Sequence, residues 1–372
     1  MSRRSAFGIV GGYGSTGKVV ASLLRDAAAS EILVGGRDLT KATALANELG
    51  AGVSASRADV LSEQSLDDFC RQCNVVINCA GPVTVLQDRV AQAAFRCGCH
   101  YVDPAGMTFV AESMRPHDHE IAEQGLSFVV SAGWLPGITE LLPTHAFAIA
   151  NQRMKTIESV TVYYGDSGEW SENAVADAVW HIRRTGVFSP RYFHHGEPVR
   201  ANMSAASREL DLGDRLGLGK RRFSLFSTPE QIEVSRQFRE CDFLTYSCVP
   251  SASAVAKTII VATCPVPKWL AVSLLASAMR SARLPVGGFA VAHVSGVAGG
   301  SKVTWKEEIM YPQGRDYWMN ARVLATVARM IAEGNAIKRG VHFLFEAADP
   351  ADLVGALQTA GVQYSERLDY SE

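Results

Sequence analysis

Six residues near the N-terminus, Gly12, Tyr13, Gly14, Ser15, Thr16 and Gly17, have the types and spacing needed to hold a pyrophosphate. Gly12 permits a tight turn, Gly14 lets the backbone approach the phosphates, and Gly17 lets a helix pack closely on a strand. A helix starting here presents free N–H groups and its positive dipole end to the anion. Arg37, with Lys41 one helical turn further on, supplies a cation where a cofactor lacking a 2′-phosphate would meet an acidic residue. NADP(H) is therefore expected over NAD(H). Asp38 either opposes that cation or caps the helix that follows. Asp59 belongs beside the adenine or in a plain turn. Cys79, Ala80, Gly81 and Pro82 form a small-residue loop expected to touch the cofactor, with Cys79 there for its size and not as a nucleophile.

Proton chemistry has fewer candidates. Tyr101 and Asp103 alternate along one short apolar run, so both side chains can face one side at its carboxyl end. The rival reading makes Tyr101 core and Asp103 a cap for the next turn. His181, with Tyr163, is a second possible acid pair, because histidine titrates near neutrality. His194 and His195 imitate a metal site beside Glu197, but adjacent residues on a strand point to opposite faces. No metal is expected, and no GxSxG arrangement of a hydrolase is present.

The elements that must position these residues can be followed along the chain. Phe7 to Val10 reads as a strand, the glycines as a turn, and the stretch through Val19, Val20, Leu23 and Leu24 as a helix. Glu31 to Gly35 and Val53 to Arg57 are strands, separated by a helix over Leu39 to Leu49. Leu66 to Cys73 is a short helix, Asn74 to Asn78 a buried parallel strand, Leu86 to Cys97 a helix and His100 to Val102 a strand. A helix entered through Pro116 leads to a strand over Leu126 to Val130. Strands alternating with helices in this way give a doubly wound parallel sheet of the Rossmann type. Trp134 to Gly137 is the hinge out of it.

Beyond the hinge, Thr139 to Ala150 and Glu172 to Arg184 read as helices, and Val160 to Tyr164 as a strand. Tyr192 to Met203 has hairpin character. Asp211 to Arg222, rich in glycine and charge, reads as a surface loop, and Pro229 to Phe238 as a helix capped by Thr228. Phe289 to Gly296 and Lys302 to Met310 form a hairpin whose alternation suits a sheet with one wet face. The reading is three parts: residues 1–134 as the dinucleotide-binding domain, 135–318 as an α+β domain with a mainly antiparallel sheet, and 319–372 as a segment returning to the first domain.

Composition excludes some classes. The 372 residues are 47% hydrophobic and 20% charged with a net charge of −2, which suits a soluble globular protein with a sizeable core. Nothing points to nucleic acid or an anionic membrane. The pair Arg3 and Arg4 is too short for a targeting signal. Trp269 to Met279 is too short to span a bilayer and reads as a buried helix. Eight cysteines without paired zinc-type spacing fit a reduced, cytoplasmic protein.

The ordered set IVGGYGSTGKVVASLL, ILVGGRD, VVINCAGP, CGCHYVD and SAGWLPGITELL resembles the saccharopine dehydrogenase-like NADP-binding oxidoreductases over residues 6–142. The resemblance implies a Rossmann domain, a second domain on an antiparallel sheet that holds substrate and pairs two copies as a homodimer, and a returning C-terminal segment. It also implies a glutamate after Gly106, where this chain has Met107. The expected activity is direct hydride transfer from NADPH to a C=N or conjugated C=C bond of a small metabolite, served by Tyr101, Asp103 or His181. The alternative is a non-catalytic NADP(H)-binding sensor or scaffold.

Overall fold

The computed structural model describes residues 5–27, 31–167, 170–184, 190–213, 216–249, 251–280, 284–315 and 317–370. Arg3 and Arg4, and the side chain of Met107, lie outside the described residues. The chain divides into two compact units, Met1–Ile138 with Tyr317–Ala360, and Thr139–Asp316 with Gly361–Glu372. In chain order the first strands are β1 Ser5–Val10, β2 Ile32–Gly36, β3 Val53–Arg57, β4 Cys73–Asn78, β5 His100–Val102 and β6 Ser127–Val130. Then come β7 Thr156–Asp166, β8 Arg191–His194, β9 Glu197–Arg200, β10 Ser207–Asp211, β11 Lys220–Leu225, β12 Asp242–Cys248, β13 Gly288–Ala298 and β14 Ser301–Tyr311. The last two are β15 Gly340–Phe343 and β16 Gln363–Tyr370.

The first unit is a seven-stranded sheet in the order β15-β6-β5-β4-β1-β2-β3, parallel at every pairing. Its central strands are buried on both faces, which is why Phe7, Ile9 and Val10 and then Val75, Val76 and Ile77 run apolar without alternation. Helix α1, Ser15–Ala27, and helix α2, Leu39–Leu49, follow β1 and β2. β1 and β4 are neighbours whose connections leave in opposite directions, so the crevice for a ligand lies at their carboxyl ends. Val10 pairs with Asn78, and the Cys79 N–H bonds the Val10 carbonyl at 2.8 Å. The residue-11 and residue-79 turns therefore start level with each other.

The second unit is built on a mixed sheet, β10-β11-β12-β7-β13-β14-β16, with β8 and β9 added at β12. Only β12 and β7 run parallel among the pairings of this sheet. The helix Ile138–Arg153 lies against it, tied by a His145–Glu307 contact of 2.8 Å. Three helices, Glu172–Arg184, Ala252–Thr263 and Lys268–Arg280, bury Val175, Val179, Val261 and Leu275 among themselves.

Several expectations need correction. The helix read over 66–73 is Glu63–Cys70, started by the Ser62 side chain accepting from Ser65 N–H; Cys73 already pairs with Ser5 in β4. The helix read over 86–97 is broken: Gln87 turns to φ 55°, and Arg89 bonds back to the carbonyls of Val85 and Leu86 before Arg89–Arg96 begins. The supposed loop 211–222 is largely core and sheet. Leu212, Leu216 and Leu218 pack with Phe223 and Tyr246, and Lys220 to Arg222 belong to β11. Trp269 is 72% exposed, because its helix buries only the face carrying Ala271, Leu275 and Ala278. The C-terminal return is divided: residues 317–360 join the first unit, and β16 pairs antiparallel with β14 in the second.

Candidate functional site

The glycine turn sorts its residues by how much room each has. Gly11 takes φ +75°, and a Cβ there would lie 2.8 Å from the Ala80 nitrogen. Gly11, a glycine outside the GxGxxG spacing, is thus the tight turn that brings the 79–82 loop alongside. Gly12, expected to make that turn, is instead a contact residue, 2.8 Å from Val34 Cγ1 if given a Cβ. At Gly17 a Cβ would strike the Gly11 carbonyl and lie 2.7 Å from Gly12 Cα, so the helix seats directly on the turn. Gly14 differs: its Cβ would meet only the Gly11 carbonyl, at 3.1 Å. Gly12 and Gly14 N–H groups bond the Gly35 and Gly11 carbonyls at 2.8 Å and 2.9 Å and Lys18 N–H bonds the Gly14 carbonyl at 3.1 Å, which leaves the N–H groups of the first helical residues, from Ser15 on, without a helical acceptor. The result is a cradle open at Gly14, lined by exposed Ser15 and half-buried Thr16 and Tyr13, at the positive end of a 13-residue helix. That shape and charge fit a pyrophosphate.

Arg37 sits exposed just past β2 and makes no hydrogen bond or ion pair among the described residues. Asp38 is otherwise engaged. Its Oδ1 accepts from Lys41 N–H at 3.2 Å, capping α2, and its Oδ2 is 3.8 Å from Lys41 Nζ. Asp59 serves a turn: Oδ1 accepts from Leu61 N–H at 3.1 Å, and Oδ2 lies 3.7 Å from Arg57. Burial and the nearby Asp103 carboxylate push the Cys79 thiol up to about 12, so it is no thiolate at neutral pH.

Tyr101 and Asp103 are both buried, 0% and 1% exposed, at the carboxyl end of β5. The Tyr101 hydroxyl accepts from Asn78 Nδ2 at 3.2 Å, and Asn78 Oδ1 accepts from Ala80 N–H at 3.0 Å. Asn78 thus links the phenol to the 79–82 loop; a polar residue closing the apolar run Val75 to Ile77 is its signal in the sequence. Asp103 Oδ1 accepts from the N–H groups of Ala105 at 2.9 Å, Ser131 at 3.2 Å, and Gly106. Its Oδ2 is buried with no hydrogen-bond partner among the described residues. Burial raises the Asp103 carboxyl from 3.8 to about 6, opposed by those backbone donors and by the Tyr101 phenol. Burial, then the Asp103 charge, holds the phenol well above its ordinary value. Ser131, at φ 57°, and Asn320, whose Oδ1 accepts from Trp134 N–H at 2.6 Å, shape the adjacent loop. Neither is marked in the sequence.

His181 lies in the second unit on Glu172–Arg184, 8% exposed, its ring 4.9 Å from that of Trp180. Burial lowers its pKa, which leaves the ring neutral at neutral pH. Tyr163 belongs to a different cluster, stacked on Tyr246 and accepting from Arg208 at 3.1 Å. The structure does not pair it with His181. Cys70, Cys73 and Cys99 are buried together, with Cys99 Sγ 3.2 Å and 3.3 Å from the carbonyls of Cys70 and Cys73. No group of three or more His, Cys, Asp or Glu among the described residues can hold a metal ion. No helix among them is long and apolar enough to cross a membrane.

Comparison with known proteins adds identity to this geometry. Residues 7–129 match the family described as the saccharopine dehydrogenase NADP binding domain. The chain is 31% identical over 137 residues to a probable mitochondrial saccharopine dehydrogenase-like oxidoreductase of Arabidopsis thaliana, covering 33% of this chain and 30% of that protein. It is 26% identical over 134 residues to the human saccharopine dehydrogenase-like oxidoreductase, covering 36% and 30%. The matched stretch spans less than a third of the length of these relatives. In structure, the chain resembles apo saccharopine dehydrogenase (L-Glu forming) from Saccharomyces cerevisiae, with a TM-score of 0.69, 14% identity, and coverage of 98% of this chain and 100% of that one. At that identity the likeness concerns the fold alone. The first unit is an NADP(H)-binding domain, and over residues 7–129 it is similar to the NADP-binding domain of the saccharopine dehydrogenases.

Proposed function

We propose that the chain is an NADPH-dependent reductase that adds hydride directly to a C=N or conjugated C=C bond of a small metabolite. One observation carries the reading furthest: a fully buried carboxylate, Asp103, whose Oδ2 has no hydrogen-bond partner among the described residues, at the strand end next to the loop that abuts the glycine cradle. An unsatisfied buried charge costs stability and is retained where a ligand or a charge in the reaction completes it. A nicotinamide supplies the hydride when bound. Asp103 favours the cationic form of an iminium acceptor. The Tyr101 hydroxyl accepts from Asn78, and its own proton, directed at the Asp103 carboxylate, is the one available for transfer. His181 is the next proton donor to test. The complete burial of Tyr101 and Asp103 favours a second reading, a non-catalytic NADP(H) sensor in which the pair only shapes the loops. The separating experiment follows NADPH oxidation with a panel of cyclic imines, keto acid and amine mixtures, and enoyl compounds. Turnover on one class supports the reductase. Tight NADPH binding with no turnover on any of them supports the sensor.

The cation at the 2′-phosphate is Arg37 in this reading. With no partner among the described residues, the guanidinium is available to a ligand. Arg37→Ala is expected to reduce the preference for NADPH over NADH by at least about tenfold, since a hydrogen bond to a charged group contributes roughly 1.5–3 kcal/mol. Titration of both cofactors checks it. Equal affinities of the parent for the two would remove the assignment.

A further inference from the structure

We infer that Tyr13 determines cofactor choice, by keeping every side chain out of position 36 and by fixing the backbone that carries Arg37. The inference rests on the assignment of Arg37 to the 2′-phosphate. β2 ends at Gly36, about 20 residues past the glycine turn, where dinucleotide sites that accept a free ribose place their acidic residue. The Tyr13 ring fills the space above it. A Cβ built on Gly36 would collide with Tyr13 Cε1 and lie 2.9 Å from Cζ and 3.0 Å from Cδ1. A carboxylate at 36 is thus excluded by a ring that belongs to the phosphate turn itself.

The same side chain has a second hold on the tip. Its hydroxyl accepts from the Asp38 N–H at 3.2 Å, and Asp38 in turn caps α2 through Lys41 N–H. Arg37 lies between a glycine under the ring and an amide bonded to the phenol. Tyr13 therefore ties three pieces together: the phosphate turn, the end of β2 and the start of α2. As a positioning residue it selects against a free ribose by exclusion and for a 2′-phosphate by placing the cation. GxGxxG leaves its second position free in type, so an aromatic residue there carries no general signal.

The test uses the full chain and four variants, titrated with NADPH, NADH, 2′,5′-ADP and 5′-AMP, with melting temperature alongside. Tyr13→Phe keeps the ring and loses the phenol bond; its preference for 2′,5′-ADP over 5′-AMP should fall about three- to tenfold. Gly36→Asp alone should weaken both NADPH and NADH, because the ring blocks the new carboxylate. Tyr13→Ala with Gly36→Asp should open the space, and NADH should bind at least about tenfold more tightly than to Gly36→Asp. Tyr13→Ala alone should lose NADPH preference without gaining NADH affinity. Gly36→Asp binding NADH as tightly as the double variant would overturn the exclusion. Tyr13→Phe keeping the parent's preference would overturn the placement of Arg37 by the phenol. A parent that does not discriminate 2′,5′-ADP from 5′-AMP would sink the Arg37 assignment first. If Gly36→Asp fails to fold while the double variant folds and binds NADH, the exclusion stands, since removal of the ring is what rescues it.

Discussion

Gly14→Val is expected to fold like the parent and to lose NADPH binding by a hundredfold or more. The two halves of that expectation have separate physical grounds. The fold survives because Gly14 is the one glycine of GxGxxG whose Cβ would meet a single atom, the Gly11 carbonyl at 3.1 Å. A small local shift relieves it. Binding does not survive, because the side chain enters the open mouth of the cradle, where the phosphates must approach the backbone. Losing two charge-assisted hydrogen bonds of about 1.5–3 kcal/mol each is a factor of roughly a hundred to ten thousand. Gly17→Val is the contrasting control. Its Cβ would strike backbone at Gly11 and Gly12, so it should lower the melting temperature as well as binding. Isothermal calorimetry with NADPH and thermal melting of both variants separate the cases. Parent-like affinity in Gly14→Val would remove the phosphate assignment.

How far the sequence led depends on whether a boundary has a local cause. The helix 39–49 and the strand 53–57 are legible to the residue, because Asp38 is a side-chain cap and the strand starts directly after the turn at Gly50 and Gly52. The cradle was legible because its glycines have fixed spacing. Gly11 was not: its role comes from the backbone of residues 79 and 80, which only the parallel pairing of β1 and β4 brings near. β12 and β16 went unread for a similar reason. β12 is a central strand of its sheet, yet Asp242–Cys248 has no glycine turn to mark it, and β16 is an edge strand, half exposed and highly charged. The 211–222 stretch misled because its glycines and charges dominate by count, while three spaced leucines set its burial. The Asp103 site was half legible. Alternation put Tyr101 and Asp103 on one strand, but the donors that clamp the carboxylate come from residues 105, 106 and 131, and no local pattern announces them.

Asp103→Asn is expected to lower turnover by roughly 10²–10⁴-fold, the range for a positioned acid–base group, while leaving NADPH affinity unchanged and the fold no less stable. The last expectation runs against the usual one for a buried carboxylate, and its sign follows from the direction of the shift. The folded-state pKa is raised from 3.8 to about 6, so the fold favours the protonated acid. That preference helps folding fully below the unfolded value near 4 and is lost as pH rises through about 6. At neutral pH the ionised group costs the fold on the order of 3 kcal/mol relative to an acid of unshifted pKa. Asparagine keeps an acceptor for the N–H groups of Ala105, Gly106 and Ser131 and cannot ionise. The variant should therefore lose the part of the stability change between pH 4 and 6 that Asp103 supplies. Parent turnover should rise with an apparent pKa near 6, and that limb should vanish in the variant. Tyr101→Phe should share the loss of turnover if its proton is used, with the Asn78 amide left without its acceptor. A structural clamp behaves otherwise: stability and activity would fall together in both variants. The measurements are melting temperature from pH 4 to 8, the pH profile of NADPH oxidation on the best substrate of the panel, and cofactor titration at each pH. Turnover that tracks melting temperature across the set would make the pair structural.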